Sequence, residues 1–75
     1  MRLTEMQPGQ VAIVRTVDAA RDTRGRLMDL GIIPGSEVQL VRHLPLSQGL
    51  QVMVRRARLV LRNNLAAQID VQVAA

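Results

Sequence analysis

The sequence predicts a mainly β fold: one small, strongly bent sheet with a short α-helix inserted after its first strand and a short helical turn near its C-terminal end. Three observations predict it. Proline and glycine punctuate the chain as far as Gly49, and the runs between them suit strands and brief helices. Two alternating aliphatic runs between Leu50 and Arg62 fold back on each other across a tight connection. No internal repeat, low-complexity tract or linker divides the chain, so residues 1–75 form a single domain whose modest core must be economical.

The elements follow in order. Gln7-Pro8-Gly9 reads as a turn. The strand after it carries Val11, Ile13 and Val17 on one side and Ala12, Val14 and Thr16 on the other, with Arg15 on the Val11 side lying toward the strand's exposed end or reaching around its edge. Asp18, Asp22 and Thr23 are candidate N-caps for a helix that runs to about Leu30, although Gly25 costs it about 1 kcal/mol relative to alanine. Leu27 and Leu30, one turn apart, are expected to dock this short helix on the sheet, because isolated helices below about 12 residues are marginal in water. Gly31 supplies the left-handed conformation that ends the helix, Pro34 forbids its resumption, and Gly35 turns the chain into the next strand.

That strand runs from Glu37 to about His43 with Val38 and Leu40 inward, and Pro45 breaks it. The following hairpin is expected to turn at Arg56-Ala57. Arg55 then stands opposite Arg58, Met53 opposite Val60 and Gln51 opposite Arg62 on one face, with Val54-Leu59 and Val52-Leu61 on a wholly apolar other face. Neither Arg56 nor Ala57 suits the positive backbone angles such turns favour, which leaves a wider or bulged loop as an alternative. Asn63 to Gln68 forms a short helical turn capped by an asparagine, and Ile69, Val71 and Val73 return as the last of four or five strands.

The order Arg26-Leu27, Asp29-Leu30-Gly31, Pro34-Gly35, Pro45-Leu46, then Leu59 with Leu61-Arg62, resembles the FeoA family of small cytosolic accessory proteins of bacterial ferrous iron uptake. The opening Leu3 to Gly9 and the final alternation Ile69 to Val73 are similar to that family as well. The resemblance implies an SH3-like small β-barrel. It also implies a regulatory or assembly role exerted on the cytosolic GTP-binding region of the FeoB ferrous iron transporter, with recruitment to the inner face of the cell membrane through that transporter. Arg56 stands near a position where related proteins commonly carry glycine.

Composition narrows the chemistry. With no Phe, Trp or Tyr the core must be built from Val, Leu, Ile, Met and Ala, and base-stacking surfaces are excluded. The absence of cysteine excludes disulfides and thiolate metal sites. No apolar run approaches the roughly 20 residues that cross a bilayer, and no secretion signal opens the chain, so the expectation is a cytoplasmic protein without direct membrane insertion. Ten arginines and no lysine against six acids give a net charge of +4, which favours acidic partners.

No enzymatic constellation emerges. His43 is the only histidine, Asp29, Glu37 and Asp70 show no paired spacing, and Ser36, Ser47, Thr4, Thr16 and Thr23 have turn or cap explanations. Neither a metal nor a cofactor site is expected. Asp29 reads as a helix-surface charge or a partner for Arg26. The best interaction surface in the expected register is the outer hairpin face, where Arg55, Arg58 and Arg62 surround Met53 and Val60. Two alternatives remain at this level: a basic small-barrel module contacting nucleic acid through phosphates, and a regulatory domain like the C-terminal barrel of iron-dependent repressors. The missing aromatic residues argue against the first, so no nucleic acid partner is expected.

Overall fold

Two Pro-Gly turns frame the sheet. In Gln7–Gln10 and in Ile33–Ser36 the proline fixes its own φ, while Gly9 and Gly35 take φ of +89° and +93°. The Gln10 N–H donates to Gln7 O and the Ser36 N–H to Ile33 O, each at 3.0 Å. The first turn opens β1 (Val11–Val17) and the second opens β2 (Glu37–His43). Each is bonded to the opposite strand: Gly9 N–H reaches Leu40 O at 2.8 Å, and Gly35 N–H reaches Val14 O at 2.8 Å. The short antiparallel β1–β2 ladder, Val11↔Gln39 to Ile13↔Glu37, is therefore prolonged by a turn at both ends.

The computed structural model describes residues 1–74. Helix α1 (Arg21–Asp29) follows β1; β3 (Leu50–Val54), β4 (Ala57–Leu61), α2 (Asn63–Ala66) and β5 (Ile69–Val73) follow β2. The five strands lie in the order β4-β3-β2-β1-β5, every neighbour antiparallel. Short 3-10 turns at Leu3–Glu5 and Pro45–Ser47 complete the fold. The first is fastened by the Arg2 N–H donating to the Glu5 carboxylate at 2.6 Å, and it delivers Leu3 and Met6 to the core. That core is aliphatic: Val14, Leu27, Ile32, Leu40, Leu50, Val52, Val54, Ile69 and Val71 are essentially inaccessible. No polar side chain is buried among the described residues. Fold class and strand content agree with the expected SH3-like small barrel with an inserted helix.

Several local expectations are corrected. Val17 does not share the side of Val11 and Ile13: the β1–β5 register shifts between Val14 and Thr16, and this bulge turns Val17 inward while Arg15 and Ile13 stay exposed. None of Asp18, Asp22 or Thr23 caps α1, whose N-cap is Ala20 without a side-chain bond. Leu30 is not docked on the sheet but 46% exposed. As the last residue before Gly31 (φ +94°) it sits where the chain reverses, with Gly31 N–H bonded to Met28 O and Ile32 N–H to Leu27 O, both at 2.9 Å. That reversal brings Ile32, rather than Leu30, into the core with Leu27. Arg62 is the N-cap of α2, so neither asparagine caps it; Asn64 Oδ1 instead accepts from the neighbouring Leu65 N–H.

The hairpin also turns one residue earlier than expected, at Arg55-Arg56, both with positive φ (51° and 67°). Observed pairs are Val54↔Ala57, Met53↔Arg58, Val52↔Leu59, Gln51↔Val60 and Leu50↔Leu61. Arg55 therefore does not face Arg58, and no like-charge pair crosses the ladder. The change moves pairing by two positions, which preserves facing: Val52, Val54 and Leu61 are buried, and Leu59 packs on the core.

Candidate functional site

The outer hairpin face divides into two places once the register is known. Met53, half-buried, is flanked by Gln39 on β2 and Arg58 on β4. It lines an open groove of about 780 Å³ with Arg55, Arg56, Glu37 and the Ile33–Ser36 turn. Arg55 is held there by its stem: a Cβ on Gly31 would stand 3.1 Å from Arg55 Cδ and 3.3 Å from Val54 Cγ1. The turn of the hairpin thus packs on the end of α1, which also explains why Gly31 follows Leu30. Pro34 and Gly35 shape the same groove from the opposite side.

Val60 and Arg62 belong elsewhere. They line a second groove of about 360 Å³ between α1 and α2, together with Arg26, Leu27, Leu30, Leu61 and Leu65. Val60 is 62% exposed and Leu61 is buried, as alternation along β4 requires. Arg26, Leu30 and Arg62, first noted for their order in the chain, here meet around one depression that no acidic side chain lines. Asp29 makes no ion pair with Arg26; the ion pairs among the described residues are Met1 N–Asp70 at 3.2 Å and Arg2–Asp18 at 2.8 Å. Asp29 is a surface charge.

Leu46, which the sequence singled out only through the Pro45-Leu46 motif, is a further exposed aliphatic. In the loop after Pro45 it adopts φ 61°, ψ 30°, followed by Ser47 at φ 54°, and its side chain is 88% exposed. Left-handed backbone costs a non-glycine residue on the order of 1 kcal/mol, so surrounding bonds must impose it. Asn63 Nδ2 donates to Ser47 O at 2.9 Å, and Leu44 N–H donates to Gly49 O at 2.8 Å. The apolar run Leu44-Pro45-Leu46 inside a loop was the available signal.

Among the described residues no cluster of three or more His, Asp or Glu side chains stands in an arrangement that holds a metal ion. The His43 Nε2 lies 2.8 Å from Met6 O. A carbonyl only accepts, so Nε2 carries the proton and is engaged. Ser36 is likewise absorbed by its turn, its Oγ donating to Ile33 O at 2.8 Å. No described helix is long and apolar enough to cross a membrane.

Comparisons with known proteins agree with this architecture. The family model of the FeoA domain matches residues 1–73. A FeoA protein of Chlorobium tepidum, solved in solution, is 36% identical with a TM-score of 0.94 over all of this chain and 71% of its own. FeoA of Stenotrophomonas maltophilia, crystallised with zinc and described as a procaryotic SH3 domain protein, is 33% identical with a TM-score of 0.82, over 96% of this chain and 89% of its own. IdeR of T. acidophilum shares the fold at 21% identity and TM-score 0.86, over 99% of this chain and 34% of its own. With a family model that matches residues 1–73 and a solved FeoA structure of 36% identity that superposes on the whole chain, the chain belongs to the FeoA domain family.

Proposed function

We propose that this chain is a non-catalytic accessory protein of ferrous iron uptake that works by binding the cytosolic GTP-binding region of a FeoB-type transporter. The observation that carries the reading is the family match over residues 1–73, with a FeoA protein 36% identical across the whole chain. FeoA of Stenotrophomonas maltophilia has itself been proposed to act as a bacterial ferrous iron transport activating factor. The surface supports an interaction role: Leu30, Leu46 and Val60 are exposed aliphatics on a chain of net charge +4, with Arg26 and Arg62 beside two of them. In this reading the module acts at the cytoplasmic face of the membrane, through the transporter and without inserting. It shifts the transporter by binding one of its conformations more tightly than another.

Titration calorimetry with the transporter's GTP-binding domain, and co-purification with the detergent-solubilised whole transporter, test this. Saturable one-to-one binding in either is expected. Absence of binding in both would remove the transporter as the partner.

A further inference from the structure

The two ladder edges of the sheet are not equally occupied. Val54 and Ala57 flank a two-residue turn and form a bonded pair, so bonded and non-bonded pairs alternate from there. Arg58 and Val60 fall in non-bonded pairs with Met53 and Gln51, and their N–H and C=O groups point away from β3. Among the described residues these groups have no hydrogen-bond partner. The groove between α1 and α2 runs beside this edge, with Leu30 and Leu65 as its apolar walls and Arg26 and Arg62 as its charges.

We infer that β4 takes up an extended segment of a partner protein, acidic and aliphatic by turns, as a sixth strand. This rests on the reading of the chain as a protein-binding module and names the surface and chemistry of that binding. Each free position offers both a donor and an acceptor, a pattern completed by another polypeptide backbone and not by phosphate, which only accepts. Alternation along the added strand places one set of side chains on the Leu61 side, over Leu30 and Leu65, and the other on the face of Arg58 and Val60. Aliphatic residues suit the first set and carboxylates the second. A second copy of this chain is a poor occupant: each copy carries +4, and antiparallel β4–β4 pairing gathers Arg58 and Arg62 of both.

The test uses the whole chain and an end-capped nine-residue peptide alternating Glu and Val. Two further peptides carry backbone N-methyl groups, one on every Glu and the other on every Val; a fourth replaces Glu with Lys. Expected results are binding of the parent peptide, slowing of Arg58 and Val60 amide exchange by more than about tenfold, and loss of binding for one methylated peptide but not the other. That asymmetry arises because alternate N–H groups face opposite edges. The Lys peptide should not bind. Val60→Pro, which removes an outward donor from an edge strand that tolerates proline, should weaken the parent peptide at least about tenfold with the fold intact.

Equal binding of both methylated peptides overturns the inference. So do shifts confined to the groove of Met53, Arg55 and Arg56, or no binding at about 1 mM peptide. A concentration-dependent dimer that protects Arg58 and Val60 without peptide overturns it in favour of self-pairing. The transporter reading is scored separately. If its GTP-binding domain binds the Val60→Pro chain as well as the parent, the β4 surface falls and the transporter stands; if the peptide pairs with β4 while the domain never binds, the reverse holds.

Discussion

β5 and β4 stand at opposite ends of one sheet, and the chain treats their outer ladders differently. Along β5, Val71 N–H donates to Met1 O at 2.8 Å, Arg2 bridges Asp70, and the Leu3–Glu5 turn buries Leu3 and Met6 just beyond. Along β4, the outward groups of Arg58 and Val60 are open, and the exposed Val60 follows Arg58 on the same face, with Arg62 just past the strand's end. A bare apolar edge invites aggregation, and a charged one resists pairing with its own kind. The difference separates an edge the chain closes with its own N-terminal residues from one it leaves open.

The largest effect that bears on this contrast is expected from Leu3→Ala, which empties a fully buried site under the covered edge and should cost about 2–5 kcal/mol. Val60→Ala on the open edge should stay within about 0.5 kcal/mol. Chemical denaturation of both variants decides it, and similar losses would erase the distinction.

Next comes Gly49→Ala. Gly49 has φ +139°, and a side chain there would collide with the Leu61 carbonyl oxygen at the end of β4. A loss of about 2–3 kcal/mol is expected. A neutral result would mean that β4 is loosely held, and that its open edge reflects fraying and not design.

Removing Met1 and Arg2 should cost about 1–2 kcal/mol, roughly the net worth of the bonds they make to β5. In hydrogen exchange the Val71 amide should then lose protection and come to resemble Val60. If Val60 is already as protected as Val71 in the intact chain, the edges are equivalent and the contrast fails.

The smallest effect sharpens the picture at the hairpin. Arg56→Gly relieves φ 67° in a two-residue turn and should stabilise by about 0.5–1 kcal/mol, measured as a shift of the denaturation midpoint.

How far the sequence could be read depended on whether a local signal existed. Both Pro-Gly turns, the stop at Gly31, the inward Val38 and Leu40, and the closing strand were legible because proline, glycine and period-two alternation act within a few residues. The hairpin faces were legible and its register was not. Turning at Arg55-Arg56 or at Arg56-Ala57 buries the same Val52, Val54, Leu59 and Leu61, and neither pair carries the glycine or asparagine that marks such turns. The candidate interaction residues were correspondingly half-resolved: Met53 with Arg55 and Val60 with Arg62 are real neighbourhoods, but of two different grooves. The bulge at Arg15 and the exposed Leu46 had no local signature strong enough to override alternation or loop composition.

By itself, then, the sequence determined the kind of fold: which stretches are strands, where proline and glycine force the chain to turn, and that the core is aliphatic. Those choices are written in backbone sterics and side-chain periodicity, which need no distant partner. Tertiary structure alone decided which of two equivalent registers the hairpin takes, through Arg55 packing on Gly31 and the close passage of Gly49 by Leu61. It also decided that β5 is covered by residues about seventy positions away while β4 is not, since an edge is defined only when the whole sheet has been assembled.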